Sequence, residues 1–418
     1  MMNTTLKPVR PKRTLKVLLV IFGLAGLCAA LAFVSAWIYF QFFFSFERPP
    51  RVQEIALGDL NGDGYLDAYL AMAPDGEPYV HPDSLLFNDG QGGFTDSGQD
   101  FGDAPSFSVE LGDVNGDGLM DIVVGWHGVK VYRNYGSGAF NGHYSARGMQ
   151  NGVYSIHIAL TDLNNDGNLD IFGAGCCGGG TSGNEGMQQV FFPTSLVWLG
   201  TGQGGFTGTG QSLGQVGSQA VAMADLNGDG TPDAFLANSS WMDASGNYQR
   251  GAPNTVWFND GQGLFTESGQ RLGNAESYAV TLGDANGDGF IDAVVGNRGP
   301  DEVWFNDGQG NFTDSGQQLG RGLTYSIFLA DLDNDGELDL VTGGESSAQV
   351  WLNDGAGLFS RGQEISYNEY EAIALGDVTG DGIVDIFVGG VESYQVWRGQ
   401  GDGSFAADLR TVFDTPHP

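Results

Sequence analysis

One nine-residue pattern recurs seven times along the chain and limits its fold more than any other feature. It reads Asp-x-Asn/Asp-x-Asp-Gly-x-φ-Asp, where φ is an apolar residue. The copies begin at Asp59, Asp113, Asp162, Asp225, Asp284, Asp331 and Asp377. Successive copies lie 46 to 63 residues apart, and a period of that size is typical of architectures in which each repeat is one supersecondary unit.

A second landmark follows each copy at a constant internal distance. A lead residue, aromatic or apolar, precedes a phenylalanine by eight residues, usually with an Asn-Asp-Gly turn between them. The seven pairs are Leu86 and Phe94, Tyr132 and Phe140, Trp198 and Phe206, Trp257 and Phe265, Trp304 and Phe312, Trp351 and Phe359, and Trp397 and Phe405. We interpret these large apolar side chains as core packing between repeats.

Apolar patterning within one repeat predicts four short strands. Tyr278–Gly283 is strand A, Asp292–Gly296 is strand B, Glu302–Phe305 is strand C, and Phe312 begins strand D. Four short strands in a repeat of this length make one propeller blade. The sequence therefore predicts an all-β fold, a seven-bladed β-propeller of four-stranded antiparallel blades. Repeat one begins with strand A and repeat seven ends with strand D, which leaves open whether a strand is exchanged where the ring closes.

Insertions are confined to one connection of the repeat. The interval from the last loop Asp to the lead residue is 11 or 12 residues in four repeats, but 19, 28 and 24 in repeats one, three and four. All the extra length therefore lies between strands B and C. In a meander sheet the B–C and D–A connections share one face, so we expect a variable B–C face and, opposite it, a uniform face of Asp loops.

The Asp loops have the chemistry of a hard-cation site. Side chains at positions one, three, five and nine, the backbone carbonyl at position seven and water supply the six to eight oxygens that Ca²⁺ takes. Three carboxylates per loop favour Ca²⁺ over Mg²⁺. Strands rather than helices follow the loops, which excludes an EF-hand. The alternative interpretation is an Asp-rich turn that binds no metal. We predict up to seven Ca²⁺ ions. The predicted ligands are Asp59, Asn61, Asp63, Tyr65, Asp67, Asp113, Asn115, Asp117, Leu119, Asp121, Asp162, Asn164, Asp166, Asn168, Asp170, Asp225, Asn227, Asp229, Thr231, Asp233, Asp284, Asn286, Asp288, Phe290, Asp292, Asp331, Asp333, Asp335, Glu337, Asp339, Asp377, Thr379, Asp381, Ile383 and Asp385.

These repeats resemble the FG-GAP/VCBS family, the repeat of integrin α-subunit propellers and of many bacterial surface proteins. The resemblance covers about residues 52–413. It implies a propeller whose Asp loops bind Ca²⁺ in the A–B hairpin. Thr379 at position three departs from the pattern, which weakens the assignment of the seventh loop. Because integrin α propellers carry such loops in only some blades, the chain is more similar to the bacterial type.

Charge is distributed unevenly along the chain. Every one of the 51 acidic residues follows position 46, so residues 47–418 hold 12 basic against 51 acidic side chains. Such a charge destabilises a compact fold by self-repulsion unless cations neutralise it. No basic patch is available to meet phosphates, so the composition excludes nucleic acid as a partner.

The N-terminal region is basic and then apolar. Residues 17–40 carry no charge, which is long enough to span a membrane as a helix. We predict a cytoplasmic basic segment (1–16), a transmembrane signal anchor (17–46), the propeller (47–413) and a C-terminal tail (414–418). By the positive-inside rule the propeller is extracytoplasmic, at the cell surface or in the periplasm. The alternative is that the N-terminal segment is a signal peptide. Its cleavage at Val34-Ser35-Ala36 would then release a secreted protein.

Cysteine usage is sparse, with three in the chain. Cys176 and Cys177 are adjacent in a glycine-rich segment. They are either small side chains in a loop or a vicinal disulfide, which an oxidising compartment permits.

No catalytic constellation is apparent, so we expect no enzyme. Ser212 lies in a nucleophile-elbow-like Gly-Gln-Ser-Leu-Gly, but other repeats carry Gly-Gln-x-Leu-Gly there without serine. We predict a ligand-binding or adhesion module for carbohydrate or protein; the alternatives are a polysaccharide lyase or hydrolase acting on the B–C face, or a purely structural surface protein. The predicted ligand contacts are His81, Asp83, Trp241, Asp243, Tyr248 and Arg250.

Overall fold

The computed structural model describes most of the propeller and divides the chain into two compact units, residues 1–49 and 50–418. The described residues all belong to the second unit and are 51–73, 82–102, 105–126, 128–145, 154–176, 194–214, 216–242, 248–367, 372–390 and 393–408. The predicted segments 1–16, 17–46 and 414–418 lie outside them. Within the described ranges no helix is long and apolar enough to cross a membrane.

The first four blades are built from strands in chain order. Blade one contains β1 (Arg51–Gly58), β2 (Asp67–Ala73), β3 (Ser84–Asn88) and β4 (Phe94–Asp96). Blade two contains β5 (Ser108–Gly112), β6 (Asp121–Gly125), β7 (Val129–Asn134) and β8 (Phe140–Ser145). Blade three contains β9 (Tyr154–Thr161), β10 (Asp170–Cys176), β11 (Ser195–Gly200) and β12 (Phe206–Leu213). Blade four contains β13 (Val216–Ala224), β14 (Asp233–Met242), β15 (Tyr248–Arg250), β16 (Thr255–Asn259) and β17 (Phe265–Glu267).

The last three blades repeat the same order. Blade five contains β18 (Ser277–Gly283), β19 (Asp292–Asn297), β20 (Asp301–Asn306) and β21 (Phe312–Leu319). Blade six contains β22 (Ser326–Ala330), β23 (Asp339–Gly343), β24 (Ser347–Asn353) and β25 (Phe359–Ser366). Blade seven contains β26 (Ala372–Gly376), β27 (Asp385–Gly389), β28 (Tyr394–Gly399) and β29 (Phe405–Asp408).

The predicted fold is confirmed: seven antiparallel sheets each consist of strands consecutive in sequence. The four strands expected in repeat five are β18 to β21, with ends that differ by a residue. Blade four alone has a fifth strand among the described residues. There the insertion continues as a hairpin, in which Met242 of β14 pairs with Tyr248 of β15, whereas the sequence indicated only a long connection.

The hydrophobic core lies between blades. Seven clusters of buried apolar side chains each combine residues of two neighbouring blades. Trp304 and Phe312 of blade five, for example, pack with Phe235 of blade four. The interpretation of the repeated aromatic residues as inter-blade core is therefore confirmed.

The ring closes by side-chain contacts between blades seven and one. Each of these blades keeps its own four strands. Phe94 packs against Phe387 with ring centroids 4.7 Å apart, and the Phe94 backbone N–H donates to the Tyr394 hydroxyl at 2.8 Å. The Asn88 side-chain amide donates to the Val378 carbonyl at 2.9 Å. Among the described strands none passes from one of these blades to the other, so side chains make the contacts that join them.

Two faces of the ring follow from the connections. Asn88, where the C–D turn begins, donates to the carbonyl of Leu66 in the Asp loop at 2.9 Å, so A–B loops and C–D turns share what we call the Asp-loop face. On the other side Ser106, in the D–A connection, donates to the carbonyl of Met72 near the end of strand B at 2.8 Å. We call this side the B–C face. The predicted separation of the two faces is confirmed.

Candidate functional sites in the Asp loops and the central cavity

The first Asp of each loop organises its backbone. Asp59 Oδ1 accepts hydrogen bonds from the backbone N–H groups of Gly62 and Asp63, and Oδ2 accepts one from Gly64, at 2.7 to 3.1 Å. The loop thus curls around a carboxylate. Position four requires a positive φ in every copy: it is glycine in five loops, and Asn165 and Asn334, at φ 58° and 61°, replace it in loops three and six. Asparagine tolerates this conformation better than most residues.

The ninth position anchors the loop to its blade. Asp292 is fully buried, and its carboxylate accepts the backbone N–H of Ala285 at 3.1 Å and of Asn306 at 2.8 Å. Burial raises the pKa of Asp292 to about 6. The equivalent acids, all buried with the same two kinds of partner, are Asp67, Asp121, Asp170, Asp233, Asp339 and Asp385. In loops three to six each oxygen accepts one of these bonds and keeps a second lone pair for a metal bond. In loops one, two and seven, one oxygen of the ninth Asp accepts a second donor, from Asn61, Asn115 and Thr379 respectively.

Loop six is the place where the acids converge. One oxygen from each of Asp331, Asp333 and Asp335 lies within 4.8 Å of the others. The Asp331 Oδ1 atom is buried and has no hydrogen-bond partner among the described residues. Desolvation and the charge of Asp335 raise the pKa of Asp333. A crowded carboxylate set with an orphan oxygen fits a hard cation, which Asp331, Asp333, Asp335 and Asp339 would hold.

Loop seven differs at position three. Thr379 is nearly buried, and its backbone N–H donates to Asp385 at 3.0 Å. The loop keeps the organisation of the others, since Asp377 accepts the N–H of Gly380 and of Gly382 at 2.7 and 2.8 Å. What it lacks is the carboxylate or amide oxygen that the other six loops carry at position three.

The predicted ligand contacts on the B–C face fall into four groups, of which Arg250 is the last. Asp83 is 3% exposed, and its carboxylate accepts hydrogen bonds from the Tyr69 hydroxyl, the Ser106 hydroxyl and the Met72 N–H at 2.6 to 2.8 Å. This burial argues for a structural role rather than ligand contact. Trp241 and Tyr248 lie on β14 and β15. His81 and Asp243 lie outside the described residues, as does Cys177.

Arg250 is exposed and belongs to a small ionic cluster. Its Nη1 atom is 3.6 Å from Glu276 Oε1, and Nη1 of Arg298 is 3.5 Å from Glu276 Oε2. The Tyr278 hydroxyl donates to the same carboxylate at 3.3 Å. Arg250 therefore lies at the edge of a network that leads to Tyr278, a residue that lines the central cavity.

A cavity of about 750 Å³ occupies the centre of the ring. All seven A strands line it, and Gly344 at the end of a B strand joins them. In blades one, five, six and seven the lining residues lie near the start of the A strand, which is at the B–C face. In blade three the lining extends to Thr161, the last residue of β9, so the cavity begins at the B–C face and reaches toward the Asp-loop face. Its charged or titratable lining residues are Arg51, Glu54, Glu110, His157, Tyr278 and Tyr325. None of these six residues is among the ligand contacts predicted from the sequence, although an ionisable residue within an otherwise apolar A strand was an available signal.

Three of these groups come from successive blades. His157 Nε2 is 3.3 Å from Glu54 Oε1, and Glu54 Oε2 accepts the Val109 N–H at 2.9 Å. Burial, with the charge of Glu54, raises the pKa of Glu110 to about 8. Burial lowers the pKa of His157, but the charge of Glu54 and its hydrogen bond outweigh this and raise it.

Blades five and six supply an aromatic wall. Tyr278 and Tyr325 meet edge to face with centroids 5.8 Å apart. The guanidinium of Arg51 lies 4.1 Å from the centroid of the Tyr325 ring, which is a cation–π distance. The cavity therefore combines aromatic rings with hydrogen-bonding groups, as small-molecule sites do.

Seven four-stranded blades with an Asp loop in every A–B hairpin define a repeat β-propeller. The chain carries FG-GAP-like repeats, matched at residues 59–124, 284–342 and 331–388. The family resemblance drawn from the Asp loops is thereby confirmed. No curated protein matches this sequence.

Solved propellers share the fold at low identity. An Agrocybe aegerita lectin that recognises non-reducing terminal N-acetylglucosamine is 20% identical, with a TM-score of 0.51 over 80% of this chain and 89% of that one. BBS1N in complex with ARL6DN is 9% identical, with a TM-score of 0.51 over 87% and 92%. A protein from Lactobacillus plantarum is 16% identical, with a TM-score of 0.51 over 76% and 86%. At these identities the likeness concerns the fold alone.

Proposed function

We propose that the chain is a membrane-anchored, extracytoplasmic binding module that takes its ligand in the central cavity from the B–C face. The observation that carries this proposal is the cavity itself. Its volume of about 750 Å³ falls in the range of small-molecule sites, about 300–1,000 Å³. The longest insertions of the sequence border the same face, where they would extend the binding surface.

Carbohydrate is the ligand class that the lining favours. Tyr278 and Tyr325 offer ring faces and edges, while Gln53, Thr161 and Gln219 add polar side chains to the wall. A cavity of this volume accommodates a few sugar units but not the surface of a folded protein. A protein ligand would instead have to contact the B–C loops.

Calcium has a supporting role in this proposal. The Asp loops lie on the face opposite the B–C connections, so bound Ca²⁺ would stabilise the ring without entering the cavity. Neutralising the loop carboxylates would remove repulsion in a unit with 12 basic and 51 acidic side chains. The apolar segment 17–46 would hold the ring at the membrane.

A glycan array tests the proposal. The full-length chain, kept in mild detergent because of its apolar segment, is expected to bind a restricted set of glycans in the presence of Ca²⁺. Tyr278→Ala, inside the cavity, should lower the affinity at least tenfold. The matched control is Tyr135→Ala, because Tyr135 is 67% exposed in a C–D turn of the Asp-loop face. Equal binding by both variants would remove the cavity from the proposal.

A second candidate function is hydrolysis or elimination on a polysaccharide. Its support is the pair Glu54 and Glu110 in one cavity, since burial and the charge of Glu54 raise the pKa of Glu110 to about 8, and a carboxyl group that keeps its proton beside a second carboxyl group can act as an acid. Mass spectrometry of array-positive glycans after prolonged incubation would reveal cleavage products. Intact glycans after many hours would leave the binding module as the function.

A further inference from the structure

We propose that Glu54, Glu110 and His157 form a subsite for an ammonium group, so that the ligand of the cavity is an amino sugar. This rests on the function proposed above and names the ligand class for the same cavity. The three residues come from the A strands of blades one, two and three and line one arc of the cavity.

The hydrogen bonds in this cluster are unequally distributed. Glu54 is held in place, because its two oxygens engage the Val109 N–H at 2.9 Å and His157 Nε2 at 3.3 Å. The Glu110 carboxyl group has no hydrogen-bond partner among the described residues, and Glu110 lines the cavity. His157 pairs with Glu54, and its Nδ1 atom is buried out of reach of a ligand. The two carboxyl oxygens of Glu110 are thus left for a ligand, and they accept hydrogen bonds when Glu110 is ionised.

The charge of the site favours a cation once Glu110 is ionised, because two carboxylates then face one imidazolium. The other cation of the cavity, Arg51, lies over the Tyr325 ring. The net negative charge of the propeller adds a field that concentrates cations in a cleft. An ammonium group has three N–H donors, which suits the two carboxylate oxygens of Glu110 and leaves one donor for a neighbouring oxygen.

Binding of an ammonium group has a protonation signature. The pKa of Glu110 in the empty cavity is raised to about 8, so the carboxyl group is protonated at pH 6. A cation beside it favours the carboxylate and lowers its pKa. The complex therefore releases close to one proton to the buffer, whereas a neutral hydroxyl ligand leaves the Glu110 proton in place.

Calorimetry with two matched probes tests the inference. The full-length chain in mild detergent is titrated at pH 6 with the trisaccharide of glucosamine and with its N-acetylated counterpart, each in two buffers of different ionisation heat. We expect the amino form to bind at least tenfold more tightly, with release of close to one proton. Glu110→Gln should remove most of the preference and the proton release. The control is Glu345→Gln, because Glu345 is exposed in a B–C turn outside the cavity and should leave both unchanged.

The other outcomes are decisive as well. Equal affinity for the two trisaccharides, or tight binding of the amino form by the wild type without proton release, overturns the ammonium subsite and leaves the binding module intact. The same holds if neither probe binds while other glycans of the array do. If no glycan of the array binds, the proposed function is overturned instead. The wild-type proton count does not depend on whether a variant folds.

Discussion

At the scale of single residues, buried carboxylates recur where the fold needs an acceptor for two backbone or hydroxyl donors. The ninth Asp of each loop is one case. Asp301 is another: it is 2% exposed and accepts the Asn297 N–H at 2.8 Å and the Thr324 hydroxyl at 2.9 Å. Burial raises the pKa of Asp301 to about 7. Such a group holds its hydrogen bonds at every pH but is costly to ionise.

The substitution Asp301→Asn tests how much the ionisation of this buried carboxyl group lowers the stability of the fold. The pKa of Asp301 in the folded chain exceeds its ordinary value of 3.8, so its contribution to stability is fully present below about pH 4 and is lost as the pH rises to about 7. Relative to Asp301→Asn, the wild type should therefore lose up to about 4 kcal/mol of unfolding free energy across that window. Urea unfolding at several pH values measures the difference. A constant difference would mean that Asp301 has an ordinary pKa.

The Asp loops are predicted to differ in calcium affinity because their charge differs. Loop six offers Asp331, Asp333, Asp335 and Asp339, whereas loop seven has the neutral Thr379 at position three. Since charge count tunes affinity in such loops, loop six should fill first and loop seven last. Crystals grown at limiting calcium would give the occupancies. Thr379→Asp should raise the calcium affinity of loop seven, so that it fills earlier. If loop seven of the wild type fills before loop six, the ranking is wrong.

At the scale of elements, neighbouring blades are joined by a repeated glutamine bridge. Gln317 in β21 donates to the Gly357 carbonyl at 2.6 Å and accepts the Phe359 N–H at 2.9 Å. The amide thus supplies both a donor and an acceptor to the next blade. Gln99 and Gln270 make the same bridge. Gln211 and Gln363 make a variant of it, in which the amide donates to the carbonyl of the same phenylalanine whose N–H it accepts. At the closure the Tyr394 hydroxyl takes this place, since it accepts the Phe94 N–H and donates to the Phe94 carbonyl at 3.3 Å.

Gln317→Ala tests the bridge. It leaves the Gly357 carbonyl and the Phe359 N–H, both at a half-buried site, without their partner. The expected loss is about 1–3 kcal/mol of unfolding free energy. Gln318→Ala is the matched control, because Gln318 is the next residue on the same strand and is exposed; it should change the free energy by less than about 0.5 kcal/mol. Equal effects would assign the loss to strand propensity.

At the scale of the whole molecule, the carboxylates that repel one another at short range are gathered on one face of the ring. Each Asp loop brings about three carboxylates together, and seven such loops share the Asp-loop face. A ligand that binds only the folded chain stabilises it by mass action. Calcium bound in these loops would therefore act on the ring as a unit.

Metal removal should lower the melting temperature strongly. We expect EDTA to shift the thermal transition down by more than 10 °C, an order of magnitude set by several sites that each contribute about 1–3 kcal/mol. Ca²⁺ should restore the transition better than Mg²⁺, which dehydrates reluctantly. Differential scanning calorimetry makes the comparison. Identical curves with EDTA and with Ca²⁺ would exclude calcium as a structural partner.

The architecture could be predicted from the sequence because its signals are local. Strand alternation, tight turns and the Asp pattern each lie within a few residues, and their sevenfold repetition removed the ambiguity of any single copy. The two faces followed from the connectivity of a meander. The insertion of blade four was the exception: its extension of β14 into a hairpin depends on pairing with β15, which the residue types between Asn238 and Gly251 do not reveal.

The sequence by itself determined the blades, their number and the predicted ligands of their loops, since these depend on neighbours in the chain. Only the tertiary structure decided how the blades are joined and what the ring encloses. Glu54, Glu110 and His157 are 56 and 47 residues apart, and nothing local marks them as a group. They meet because a closed ring turns the inner edge of every A strand toward one axis, and that geometry exists only after all seven blades have packed.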